Sequence, residues 1–160
     1  MTDFKALLEA LADAKVEFVL VGGLAAIAHG SARLTQDVDV VYARDPKNLE
    51  RLAEALAGHR PYLRGAPPGL PFRWDATTLQ HGLNFTLETA LGDIDLLGEI
   101  AGGGRYEDLL PHSIELRVFD RAVWCLGLEK LIETKRAAGR PKDLEAIAEL
   151  EALREVRLED

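Results

Sequence analysis

Two short stretches carry carboxylates in a pattern suited to a hard cation. Acidic and aliphatic residues alternate in Gln36-Asp37-Val38-Asp39-Val40-Val41, and again in Gly92-Asp93-Ile94-Asp95-Leu96-Leu97. Successive side chains on a strand point to opposite faces. Asp37 and Asp39 therefore share one face of their strand, as Asp93 and Asp95 share one face of theirs. Like charges held this close repel unless something positive lies between them. Two such strands side by side would gather three or four carboxylates into one pocket, which suits a divalent cation with hard oxygen ligands, Mg²⁺ or Mn²⁺. A strand edge blunted by charge would explain one such pair equally well. It explains two in one small chain less well.

The residues that would surround that pocket include both glycines and cations. Gly22-Gly23 end an apolar run and open a helix, where backbone N–H groups can point at a phosphate. Arg33 and Thr35 lie between the glycines and the first acidic stretch. Arg33 would either hold a phosphate or pair with an aspartate. Leu128, Leu131 and Ile132 form the apolar stripe of a helix, and Lys135 falls on the same stripe. A lysine there either snorkels to water along its stem or reaches a buried anion. Arg140 sits just beyond, so Lys135 and Arg140 together would clamp a triphosphate. Asp143 falls in the first turn after Pro141, a position that a helix dipole favours for a carboxylate. That reading and a catalytic one weigh equally. His29 reads as a satisfied structural histidine or a partly exposed one, and His81 and His112 lack metal-ligand spacing.

Elements must hold these residues in place. Phe4, Leu7, Leu8, Leu11 and Ala12 recur with helical spacing, which predicts a helix over residues 3 to 15. Phe18 to Val21 reads as a buried strand, residues 24 to 28 as a short helix, and residues 38 to 42 as the first acidic strand. Asp45-Pro46 is an N-cap followed by proline at the first helical position, with a helix to about residue 57. Residues 58 to 72, with four prolines and three glycines, read as a loop that carries Arg60 and Arg64 and runs on to Arg73. Leu83 to Glu88 and the second acidic stretch read as a hairpin. Gly102-Gly103-Gly104 reads as a flexible turn. Residues 114 to 119 and 122 to 126 read as strands, and two helices, about 128 to 138 and 141 to 155, close the chain. The order predicts an α+β fold, a mixed β-sheet with flanking helices and a C-terminal helical pair. Residues 1–126 would form the core, and residues 127–160 a helical appendage of the same structural unit.

Composition narrows the function classes. The chain has 160 residues and a formal net charge of −8, against non-specific nucleic-acid binding, which depends on Lys and Arg neutralising phosphates. Its one cysteine, Cys125, allows neither an internal disulfide nor a cysteine metal cage; in its apolar run it reads as a small buried hydrophobe. No apolar run approaches membrane-span length, and the N-terminus lacks a signal-peptide pattern. A cytoplasmic protein with no membrane partner is expected.

Gly22-Gly23, then Arg33-x-Thr35-x-Asp37-Val38-Asp39, then Asp93-Ile94-Asp95, resemble the nucleotidyltransferase superfamily. The ending Leu131-Ile132-x-x-Lys135 … Arg140-x-Lys142-Asp143-Leu144 resembles its small prokaryotic branch, which includes AbiEii-type toxins and minimal nucleotidyltransferases with helical partners. The resemblance spans residues 17 to 150 and implies the fold of the DNA polymerase β palm. It implies that Asp37, Asp39 and Asp95 hold two metal ions, with Asp95 also a possible base. It places Gly22 and Gly23 against nucleotide phosphates, and gives Lys135 and Arg140 the triphosphate. The co-substrate would be a nucleoside triphosphate, ATP among the candidates. A small helical protein partner or an RNA acceptor fits the branch, though no extensive basic surface supports RNA. A toxin–antitoxin role, or a nucleotide-binding module without catalysis, are the alternatives. The sequence departs from the family pattern at Gly23, where many members have serine; Ser31 or Thr35 would supply the missing hydroxyl.

Overall fold

The computed structural model describes residues 1–159. Seven strands form one mixed sheet in the order β3-β4-β5-β2-β1-β7-β6. β1 (Phe18–Val21) and β2 (Asp37–Tyr42) lie antiparallel at its centre, with β5 (Gly92–Leu97) parallel to β2 and β7 (Arg121–Leu126) parallel to β1. β4 (Phe85–Thr89) pairs antiparallel with β5 as the expected hairpin, and β6 (Ser113–Val118) likewise with β7. At the far edge lies β3 (Tyr62–Leu63), two residues inside the stretch read as a loop.

The helices follow their local signals. α1 (Phe4–Asp13) is capped by Asp3, which accepts from Ala6 N at 3.0 Å, and it buries Leu7, Leu8 and Leu11. α2 (Gly22–Ala28) starts directly from β1, and α3 (Pro46–Ala57) is capped by Asp45. A side-chain oxygen at the N-cap satisfies one of the otherwise orphaned first-turn N–H groups. α6 (Leu128–Ala138) and α7 (Pro141–Glu159) pack on each other as the C-terminal pair. Gly139 ends α6 in the left-handed conformation, φ +65°, which glycine adopts without steric cost and which sets the corner before Pro141. Two short helices interrupt the run of strands, α4 (Ala76–His81) and α5 (Tyr106–Leu109). Neither is long enough to display a periodic stripe.

The core sits on the aliphatic side of the acidic strands. Val38, Val40, Ile94 and Leu96 are fully buried. Each contributes roughly 1.5–3 kcal/mol relative to exposure, and this burial fixes the register of β2 and β5, since a one-residue slip would exchange an aliphatic side chain for aspartate in the core. No helix among the described residues is long and apolar enough to cross a membrane.

Candidate active site

Register brings the carboxylates together. β2 and β5 pair with Asp37 opposite Asp93 and Asp39 opposite Asp95, so all four stand on one face. Asp37, Asp39 and Asp95 each offer an oxygen within 4.8 Å of the others. Asp93, the first acid of β5, turns toward Arg64, 3.4 Å from its Nε.

The trio is poorly compensated. Asp39 is half-buried, and its buried Oδ1 has no hydrogen-bond partner. Burial first, then the charge of Asp37 and the hydrogen bond and charge of Asp95, push its carboxyl up to about 8, against the pull of Lys135. Burial also raises Asp95, while the hydrogen bond to Asp39 and the charge of Arg64 oppose the rise. Arg64 Nη2 lies 2.9 Å from Asp95 Oδ1 but off the axis of a hydrogen bond, which leaves that oxygen without a donor. Instead Nη2 donates to Leu87 O at 2.7 Å. A cluster of hard oxygens with orphaned buried acceptors fits a divalent cation; Asp37, Asp39 and Asp95 would hold it.

The glycines provide room at this point. Gly22 has φ +67°, and a Cβ on it would fall 2.1 Å from Asp39 Oδ2. A Cβ on Gly23 would fall 2.7 Å from Thr35 Oγ1. At Gly22 the left-handed backbone and the close approach to Asp39 both call for glycine. Thr35 Oγ1 in turn lies 3.4 Å from Asp37 Oδ1.

Across the cleft stands the C-terminal corner. Asp143 is 1% exposed, and Arg140 donates to it through Nε at 2.6 Å and Nη2 at 3.1 Å. Lys135 Nζ lies 3.6 Å from Asp143 Oδ1. Burial alone would raise Asp143, but the hydrogen bond and charge of Arg140 and the charge of Lys135 hold it below the usual carboxylate range. Asp143 is thus the anion that Lys135 reaches within this chain, and it fixes Arg140 as well. A polar cavity of about 330 Å³ separates the corner from the trio, lined by Gly23, Thr35, Asp39, Asp95, Lys135 and Arg140. A second, of about 230 Å³, lies on the Gly22 side of Asp39 and Lys135.

Arg33 also borders the larger cavity, but its ion pair is with Glu145 of α7, at 3.7 Å, and not with an aspartate. Ser31 donates to Glu149 Oε1 at 2.5 Å, which pins the loop before β2 to α7. His29 is buried with Nε2 2.7 Å from Leu126 O, the structural role read for it. Cys125 is buried, and burial pushes its thiol up to about 12.

A model of the family described as "Nucleotidyl transferase AbiEii toxin, Type IV TA system" matches residues 6–138. The chain belongs to the AbiEii family of nucleotidyl transferases. The match contains Gly22, Gly23, Asp37, Asp39, Asp95 and Lys135 and ends before Arg140 and Asp143. Among solved structures, the fold is similar to that of the lincosamide antibiotic adenylyltransferase LnuA with bound lincomycin. Identity there is 16%, the TM-score is 0.60, and the alignment covers 95% of this chain and 98% of that one. It is also similar to ANT(2″)-Ia in complex with adenylyl-2″-tobramycin, at 15% identity and TM-score 0.54, covering 94% and 92% of the two chains. No curated protein matches the chain in sequence. The AbiEii membership and the fold agree with the superfamily that the motifs resemble.

Two residues at the site escaped sequence reasoning. Arg64 follows β3 directly, and its N donates to Thr86 O at 3.0 Å. The guanidinium thereby reaches Asp37 (3.8 Å), Asp93 and Asp95. Its only signal was a place in an arginine-bearing stretch. Thr2 is the other: its Oγ1 donates to Gln36 O and accepts from Asp93 N at 3.1 Å, tying the entries of both acidic strands. Nothing in the residue type announced it.

Proposed function

We propose that this chain transfers a nucleoside monophosphate from a nucleoside triphosphate to a hydroxyl acceptor on a protein, an RNA or a small molecule, with Mg²⁺ or Mn²⁺. The observation that carries this reading is the meeting of Asp37, Asp39 and Asp95 on one sheet face, across a polar cavity from Lys135. A cation pair held by the trio would favour ionisation of the acceptor hydroxyl and neutralise charge on the departing pyrophosphate.

The chain's own residues supply placement. Gly22 and Gly23 border the two cavities and would lie against the phosphates. Lys135 and Arg140 would face the triphosphate, held in position by Asp143, and Arg33 and Thr35 would line its approach. Asp95, whose carboxyl burial raises above its ordinary value, would in its ionised form accept the proton of the attacking hydroxyl. Rate enhancement would come from orientation and fixed charge.

A second reading concerns the acceptor. The family description names a type IV toxin–antitoxin system, and the net charge of −8 favours a protein acceptor or partner over RNA. The antibiotic adenylyltransferases with this fold keep a small-molecule hydroxyl in contention. Incubation with each α-labelled nucleoside triphosphate, Mg²⁺ and a lysate tests both readings. Label is expected on one acceptor class and lost with EDTA. Absence of labelled acceptor with all four triphosphates, alongside metal-independent nucleotide binding, would establish a non-catalytic module instead.

A further inference from the structure

The two edges of the sheet are unlike. β3 is two residues long, and a short edge offers little to a neighbouring chain. β6 has six residues, with neither proline nor lysine to blunt it. Its hairpin with β7 turns through Phe119 and Asp120, both at positive φ, 51° and 64°, as a two-residue turn of this hand requires. Val118 and Arg121 flank that turn and form its hydrogen-bonded pair. Hydrogen-bonded pairs alternate along an antiparallel ladder. Ile114, Leu116 and Val118 therefore spend their backbone groups on β7, while Glu115 and Arg117 aim theirs outward.

The side chains of the edge are equally open. Ile114 and Phe119 are each 43% exposed, and Ile27 of α2 is 37% exposed. Leu24, Ile27, Leu116, Val118 and Phe119 line an apolar cavity of about 460 Å³ beside the edge. An aromatic residue at a left-handed position is a backbone choice that glycine or asparagine would fill at lower cost; here it sets an apolar ring at the mouth of that cavity. Glu115 and Arg117 make no ion pair among the described residues. Arg117 donates to Asp120 O at 3.1 Å.

We propose that a second copy of this chain pairs antiparallel with β6, about a two-fold axis at Leu116, to make one continuous sheet across two protomers. The choice of a second copy, and of register, comes from charge. With Leu116 facing its own counterpart, Glu115 of each protomer lies opposite Arg117 of the other, and their outward backbone groups exchange hydrogen bonds. Ile114 lies opposite Val118 at each end, and their contact covers apolar surface at the cavity mouth. The neighbouring two-fold registers set Glu115 against Glu115 or Arg117 against Arg117, and directly opposed like charges destabilise a strand pair. A strand with this order of charges complements itself.

Sedimentation equilibrium of the full chain between about 10 and 200 µM tests the proposal, since association is concentration-dependent. The expected species has twice the chain mass. E115R alone or R117E alone opposes like charges twice over and raises the dissociation constant at least about tenfold. The E115R/R117E double variant exchanges the two charges and restores the dimer. Circular dichroism and thermal unfolding confirm that each variant is folded. A wild-type monomer throughout the range overturns the proposal, as does a dimer indifferent to either single exchange. A double variant that stays monomeric overturns the register.

Discussion

Two charged clusters face each other across the cleft, and they are balanced in opposite ways. At the α6–α7 corner, one buried carboxylate, Asp143, has two cations, with Arg140 at 2.6 Å and Lys135 at 3.6 Å. Its pKa falls. On β2 and β5, four carboxylates have one ion-paired cation among the described residues, Arg64, which reaches Asp37, Asp93 and Asp95 but not Asp39. There Asp39 and Asp95 rise. The corner satisfies itself and so serves as a support. The strand cluster leaves two buried oxygens without hydrogen-bond partners, and a buried polar group left unsatisfied costs stability. Such a deficit marks the strand cluster as a candidate ligand site.

Variants that break this contrast follow in order of expected effect. Asp39→Ala or Asp37→Ala lowers nucleotidyl transfer by about 10³-fold or more, in the range for loss of a preorganised electrostatic group. Far-ultraviolet circular dichroism stays that of the wild type, because the aliphatic face of β2 is untouched. Full activity in either variant would remove the aspartates from the mechanism.

Asp39→Asn acts oppositely on stability. A carboxyl raised to about 8 binds its proton more tightly folded than unfolded, so stability falls as pH climbs from the unfolded value toward 8. Without metal at about pH 8, the asparagine variant is therefore more stable than wild type, by about 1–3 kcal/mol. The gap narrows toward pH 4. Denaturant melts at the two pH values check the sign.

Asp143→Asn disrupts the satisfied cluster. It costs about 1–2 kcal/mol at neutral pH, discounted from the fully buried case because Arg140 is 58% exposed. A lowered carboxyl contributes stability above its unfolded pKa and loses it as pH falls through the folded one. The difference between wild type and variant therefore shrinks in acid, below the ordinary aspartate range, which melts between neutral and about pH 3 would reveal. If Asp143 acts by positioning Lys135 and Arg140, KM for the triphosphate rises more than kcat falls.

Arg64→Ala sharpens the contrast by removing the one cation, among the described residues, that is ion-paired with the strand cluster. Divalent-cation affinity rises a fewfold, since a competing positive charge is gone, and calorimetric titration reads the change. Arg33→Ala has the smallest effect. Its pair with Glu145 is exposed at 47% and 72%, so stability shifts by less than about 0.5 kcal/mol.

How far the sequence discloses these clusters depends on the range of the forces involved. Strand alternation is local, so the shared face of Asp37 and Asp39 was legible, as was that of Asp93 and Asp95. So were the α3 cap at Asp45 and the inward position of Lys135. Pairing of β2 with β5 joins segments more than fifty residues apart, and no local pattern states that they lie in register. For Asp143 a first-turn carboxylate and a catalytic one weighed equally, because its burial follows from the packing of α6 on α7. Arg64 depends on a strand of two residues amid prolines and glycines, too short for any periodicity. Residues 58 to 72 were expected to be loop for the same reason.

The central proposal is that Asp37, Asp39 and Asp95 hold a divalent cation. Electron paramagnetic resonance of Mn²⁺ titrated into the full chain measures this directly, without nucleotide or acceptor. At about pH 8, wild type should bind Mn²⁺ and Asp39→Asn should bind it at least about tenfold more weakly, with wild-type affinity declining toward pH 6 as protons compete. Equal binding by the two proteins, or none by wild type, would contradict the account.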